Sequence, residues 1–170
     1  SGEQQQAERI AQWMAQNDRF ARRLGIELEA AAPGFCQVAL TVTGDMLNAV
    51  GVTHGGVTFS LADFAFAVAS NSHGKVSLAL SAQINYPAAS RAGERLTAIA
   101  REQSGNRRTG LYSVEVRNSD GTLTGLFSGT VYRRSEELES HMQPDRPEGE
   151  QGFCTQNSKR CRGRICRPCS

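Results

Sequence analysis

The stretch GGVTFSLADFAFAVASNS, Gly55 to Ser72, has helical length, is apolar on nearly every side, and opens with two glycines directly after His54. Asp63 is the only charged side chain between His54 and Lys75. A helix with so wide an apolar surface cannot rest on solvent and must be wrapped by other structure. An unpaired, ionised carboxylate inside such a wrapping costs several kcal/mol. Chains keep that cost where chemistry needs a desolvated carboxylate, so Asp63 is the first candidate for catalysis.

Outward from this helix, the N-terminal side places Ile10, Trp13, Met14, Ala21 and Leu24 at mostly helical spacings and stops at Gly25. This predicts an amphipathic helix over residues 5–23, with an irregularity at Asn17-Asp18. IELEA (26–30) and FCQVALTV (35–42) read as strands about a Pro33-Gly34 turn, and residues 44–54 as loop. On the C-terminal side, VSLALSAQINY (76–86), RLTAIAREQ (95–103), TGLYSVEVRN (109–118) and TLTGLFSGTVYR (122–133) read as strands joined by turns. Turn-linked strands are antiparallel. The expected class is α+β: a curved antiparallel sheet wrapped around one long central helix, with an N-terminal helix beside it.

The 170 residues carry a net charge of +2 and are 39% hydrophobic, which suits one globular domain rather than two. Hydrophobic periodicity runs through residues 1–134 and stops there. Residues 136–150 hold six acidic side chains and one base, Arg146, and residues 157–170 hold five bases and no acid. With hardly an aliphatic residue, 135–170 is expected to be a disordered or non-native tail. Cys154, Cys161, Cys166 and Cys169 fall in it at spacings that lack the two close pairs of a structural zinc site. Its bases lack interleaved aromatics, so neither nucleic acid nor a membrane surface is expected as a partner. Cys36 reads as a small buried apolar residue. The polar N-terminus SGEQQQAERI carries no secretory signal, and a cytoplasmic location is expected.

The start of the central helix offers unpaired backbone N–H groups and the positive end of the helix dipole. Glycines at 55 and 56 let an oxygen approach closely, as an oxyanion hole requires, or they serve only a tight loop-to-helix junction. Asp63 lies eight residues further on, about 12 Å along the axis. One electrophilic carbon cannot touch both groups of one helix. If they share a reaction, two chains contribute, with central helices antiparallel at a dimer interface.

The pattern MLN-x5-HGG-x6-D from Met46 to Asp63, followed by NSHG at 71–74, resembles the hotdog-fold acyl-CoA thioesterases of the phenylacetic-acid-degradation type over roughly residues 8–134. That resemblance implies a hotdog fold for residues 1–134, no cofactor and no metal, and homodimers with shared active sites, assembled as a dimer of dimers. It implies Asp63 as nucleophile or general base on an acyl-CoA thioester, the Gly55 N–H as oxyanion hole, and Asn48 as the group positioning water or thioester. Asn48 also reads as a turn former. The related 4-hydroxybenzoyl-CoA thioesterases use a Glu with different companions, so Asp63 and the NSHG segment favour the phenylacetate type.

His54 reads as a neutral side chain holding the loop, or as an acid–base group, since the dipole disfavours its charged form. His73 suits the helix C-terminus as a structural residue. Phe59, Phe66 and Ala67 neighbour Asp63 on the helix and are candidates, with Gly56, for the acyl pocket, or are core. Arg107 and Arg108 are the candidate contacts for the CoA phosphates, or a solvated turn. The expected function is hydrolysis of phenylacetyl-CoA or hydroxyaryl-acetyl-CoA in phenylacetate catabolism. The alternatives are a broad medium-chain or aryl acyl-CoA hydrolase and a non-catalytic acyl-CoA-binding module.

Overall fold

A computed structural model describes residues 1–143. The zinc, disulfide and partner readings of the cysteine-rich tail fall on 144–170, outside the described residues. The chain runs α1 (Gly2–Asn17), α2 (Arg19–Arg23), β1 (Glu27–Ala32), β2 (Phe35–Thr41), α3 (Gly55–Asn71), β3 (Lys75–Asn85), β4 (Arg95–Gly105), β5 (Thr109–Arg117) and β6 (Leu123–Glu137). The expected irregularity in the N-terminal helix is real: Asp18 ends α1 in an extended conformation and caps α2. The last strand passes the expected end of the patterned region, reaching Glu137, and the 3-10 turn after it, Leu138–His141, buries Leu138.

The six strands form one antiparallel sheet in the order β1-β2-β4-β5-β6-β3. The turn-to-turn reading of the later strands needs one correction. β3 pairs with β6 at the far edge, not with its successor β4, because β4 is taken by β2 and β5. Residues 86–94 carry the chain back across the end of the sheet.

α3 packs against the sheet from β2 through β6 and is the spine of the core. Leu61, Ala62, Ala65, Val68 and Ala69 are fully buried against Val38, Leu40, Ala98, Ala100, Val114 and Val116 from the alternate positions of β2, β4 and β5. Close approach at β6 depends on glycine. A Cβ on Gly129 would stand 2.7 Å from the Phe66 ring, and one on Gly125 would stand 2.9 Å from Thr58. β3 is different: Leu78 and Leu80 are 49% and 65% exposed, and its outer edge is unpaired among the described residues. Cys36 is fully buried, and burial pushes its thiol up to about 12. Among the described residues no helix is long and apolar enough to cross a membrane.

Candidate active site

The loop before α3 is folded by its own side chains and backbone. Asn48 Oδ1 accepts the N–H groups of Val50 (3.1 Å) and Val52 (3.2 Å), and the Asn48 N–H donates to Val52 O at 2.8 Å. Gly51, at φ 82°, makes the turn that only glycine adopts cheaply. The His54 N–H donates to Met46 O at 2.8 Å, and Thr53 is tied to Ser90 through both backbone and hydroxyl. Asn48 thus performs the turn-forming role with its oxygen, which leaves its NH2 group for other work.

His54 caps α3: its Nδ1 accepts the Gly56 N–H at 2.9 Å. A nitrogen that accepts carries no proton, so the imidazole in this geometry is neutral with its proton on Nε2. Gly56 is exposed, but its N–H is spent on that cap. The Gly55 N–H finds no acceptor among the described residues. Gly55 O accepts the Tyr86 hydroxyl at 3.0 Å, which leans the phenol over the helix start. A cavity of about 310 Å³ opens here, lined by Asn48, Gly55, Thr58, Tyr86, Ala88 and Thr124 among others. A free N–H at a helix N-terminus, facing a largely apolar cavity, can stabilise a carbonyl oxygen that gains charge.

Asp63 is not on that cavity. It lies half-buried on a stripe of α3 with Gly56, Ser60 and Ala67, the face the sheet leaves open, so the full burial implied by the sequence is not reached within one chain. It has no hydrogen-bond or ion-pair partner among the described residues. Burial, and then the negative charge of Asp18, push its carboxyl above the ordinary aspartate range.

The remaining candidates separate. Phe59 is partly buried and meets Phe127 edge-on, with centroids 5.5 Å apart. Phe66 is a correction: it is 1% exposed, packs on Tyr112 and Phe127, and fills the space vacated by the missing Gly129 side chain, so it is core rather than pocket wall. Arg107 and Arg108 line a separate cleft with Lys75, Tyr132, Arg133 and Arg134, beyond the C-terminus of α3. The seventeen residues of α3 put that cleft about 25 Å from Gly55, so one chain does not bring these arginines to the cavity. His73 bonds Glu102 at 2.5 Å. The place of Tyr86 at the site went unnoticed in the sequence, because its hydroxyl bonds Gly55 O across thirty-one residues of chain. Among the described residues no three His, Cys, Asp or Glu side chains gather as metal ligands.

The family model of the thioesterase superfamily matches residues 50–124. A putative esterase of Archaeoglobus fulgidus is 42% identical over 134 residues, 79% of this chain and 87% of that protein. The acyl-coenzyme A thioesterase PaaI of Escherichia coli is 40% identical over 120 residues, 71% of this chain and 86% of that protein. The solved structure of the E. coli PaaI protein, from the phenylacetic acid degradation operon, superposes with a TM-score of 0.77 at 37% identity, covering 79% of this chain and 97% of that one. A hypothetical thioesterase of Streptococcus pneumoniae solved with coenzyme A gives a TM-score of 0.64 at 26% identity, covering 66% of this chain and 88% of that one. With its sheet curled on one long helix and its HGG turn at the helix start, the chain belongs to the hotdog-fold thioesterase superfamily, in the phenylacetic-acid-degradation type, and is a thioester hydrolase.

Proposed function

We propose that the protein hydrolyses phenylacetyl-CoA and related aryl-acetyl-CoA thioesters, in the cytoplasm, at sites built from two chains. The observation that carries this reading is the unpartnered Gly55 N–H on its cavity, with a half-buried, unpartnered Asp63 on the open face of the same helix. A thioester carbonyl seated on the Gly55 N–H gains charge as its carbon is attacked, and the N–H holds that charge. The Asn48 amide donates to the carbonyl or to the water. Asp63 either attacks the carbon, giving a mixed anhydride that water cleaves, or takes a proton from the attacking water. CoA leaves as the thiolate.

The Asp63 that serves a given Gly55 belongs to the second chain. Antiparallel central helices bring the partner's Asp63 to the cavity, and the same two-fold swings the partner's Arg107 and the partner's Arg108 toward it from the far helix end, where they meet CoA phosphates. The open stripe on α3 and the exposed β3 edge with Leu78 and Leu80 support such a pairing. The expected assembly is a pair of such dimers. An aromatic acyl group is supported by Phe59 beside Asp63, by Tyr86 at the cavity, and by the operon of the E. coli relative.

The deciding experiment follows CoA release with a thiol reagent across aryl-acetyl, benzoyl and straight-chain acyl-CoA esters. Aryl-acetyl esters are expected to give the highest kcat/KM. Equal rates on medium-chain esters would favour a broad hydrolase, and no release from any ester would end the enzymatic reading. A monomer by solution mass would exclude the shared site.

A further inference from the structure

Five residues on the cavity at the start of α3 carry hydroxyls: Thr53, Thr58, Tyr86, Ser90 and Thr124. Four of them are engaged. Ser90 donates to Thr53 Oγ1 at 2.6 Å, Tyr86 to Gly55 O at 3.0 Å, and Thr124 to Val116 O at 3.2 Å. Thr58 has no hydrogen-bond partner for its hydroxyl among the described residues. Ser60, two residues further along α3, bonds back to Gly56 O at 2.6 Å, the usual outlet for a hydroxyl inside a helix, and Thr58 makes no such bond.

Thr58 is nevertheless only 4% exposed. Its methyl carbon faces β6, 2.9 Å from where a Cβ on Gly125 would stand, so a staggered side chain sends the hydroxyl another way. Among the described residues the one sealed side-chain polar atom without a partner is Arg133 Nε. Thr58 Oγ1 is therefore open to space, and the space that Thr58 lines is the cavity. A buried hydroxyl left unanswered costs stability that a valine of the same shape would save. Residues three apart on a helix are neighbours, about 5–6 Å between their Cβ positions. An acyl group whose carbonyl oxygen rests on the Gly55 N–H carries its next few atoms past Thr58. The neighbouring walls, Val52, Ala88 and Ala89, offer no side-chain polar group.

We propose that Thr58 is a specificity-determining residue, whose hydroxyl pairs with a hydroxyl carried by the acyl group, so that hydroxylated acyl-CoA esters are preferred over their unsubstituted parents. This inference rests on the reading of Gly55 given above as the seat of the thioester carbonyl. A threonine hydroxyl both donates and accepts, so it suits a substrate hydroxyl in either direction. A site built to bond such a group rejects the analogue that lacks it, because its own hydroxyl is then left unpaired. The substrate hydroxyl has two sources, the aromatic ring or the chain that joins it to the carbonyl, and both present the same chemistry to Thr58.

The test compares kcat/KM for phenylacetyl-CoA with that for its ring-hydroxylated and chain-hydroxylated derivatives, in the wild type and in Thr58→Val, which keeps the shape and removes the hydroxyl. The wild type is expected to favour a hydroxylated ester by about tenfold, and the position of that hydroxyl tells ring from chain. In Thr58→Val the favoured ester is expected to lose about tenfold and the unsubstituted one to gain about twofold, with Tm at or above the wild-type value. Thr58→Ala, which also lacks the hydroxyl, stands in if the valine variant folds poorly. Thr58→Ser, which keeps the hydroxyl, is expected to keep the preference. A wild type that favours none of the hydroxylated esters overturns the proposal, as does a ratio unmoved in Thr58→Val or an equal fall on every ester. No CoA release from any ester overturns the reading of the site and this proposal together. Release that depends on Asp63, beside a ratio unmoved in Thr58→Val, overturns this proposal alone.

Discussion

At its C-terminal end α3 is held by other protein groups on every side. The Asn71 NH2 donates to Ala67 O and its Oδ1 accepts the Ser77 N–H at 2.9 Å, while Ser72 Oγ accepts the Gly34 N–H at 2.8 Å. Just beyond, Glu102 gathers His73, the Tyr112 hydroxyl at 2.8 Å and the Arg133 guanidinium at 3.4 Å. At its N-terminal end the same helix starts with a free N–H on a cavity, and a little over two turns later carries a carboxylate with no partner among the described residues. One end has its polar groups answered by protein. The other leaves them for something that the described residues do not contain. The two carboxylates mark the contrast. Burial raises both, but at Glu102 the bonds from His73 and Tyr112 outweigh it and hold the carboxyl low, whereas at Asp63 the neighbouring Asp18 adds to it.

Substitutions at the two ends should separate activity from stability. Asp63→Ala is expected to lower kcat by about a thousandfold or more while the fold persists, read by CoA release and by circular dichroism. Substantial turnover in that variant would remove the functional meaning of the open end. Glu102→Gln is expected to do the reverse. It leaves kcat/KM near wild type but costs about 1–3 kcal/mol, because the half-buried Arg133 loses its counter-charge, and chemical denaturation reads that loss. Arg133 already has one buried nitrogen, Nε, without a partner, so little slack remains to absorb the change.

Gly55→Ala is a finer probe. The added methyl would stand 3.2 Å from the Tyr86 ring and narrow the approach to the N–H, so kcat/KM is expected to fall about tenfold at nearly constant Tm. A stability loss without a rate loss would make the glycine a packing residue only.

The smallest expected effect concerns pH. Glu102 titrates lower in the folded chain than in the unfolded one, so its contribution is whole above the unfolded pKa and is lost as pH falls through the folded one. Asp63 has the opposite sign: its raised carboxyl favours the folded chain while protonated, and that stability is lost as pH rises through the folded pKa. Asp63→Asn is therefore expected to raise Tm near neutral pH, by at most about 2 °C once solvent screening is allowed for, and by nothing at low pH. A Tm gain that persists in acid would show that something other than charge is at work.

Much of the helix–sheet architecture was legible because burial writes itself into periodicity. The apolar run from Gly55 to Asn71 and the alternation of Cys36, Val38 and Leu40 each mark a face that must be covered. The break at Asn17-Asp18 was visible as an irregularity in the helical pattern, and the structure shows Asp18 capping α2 there. The misreadings share one cause. Phe66 and Phe59 look alike as helical neighbours of Asp63, yet only the absence of a side chain at Gly129 draws Phe66 into the core. The β3–β6 pairing was hidden because sequence order suggests that strand neighbours are chain neighbours. The Tyr86–Gly55 bond and the arginine cleft depend on contacts between segments far apart in the chain, and no local pattern encodes those.

The sequence by itself determined the long apolar helix, the strands around it, the HGG turn with its free N–H, and Asp63 as the charge that breaks an apolar surface. Each follows from local chemistry: periodicity, capping, and the cost of desolvating a carboxylate. Only the tertiary structure decided which face of α3 stays open and which end of it is held by Glu102. Those depend on how the sheet curls and where α1 breaks, which arise from packing of the whole chain rather than from any one segment.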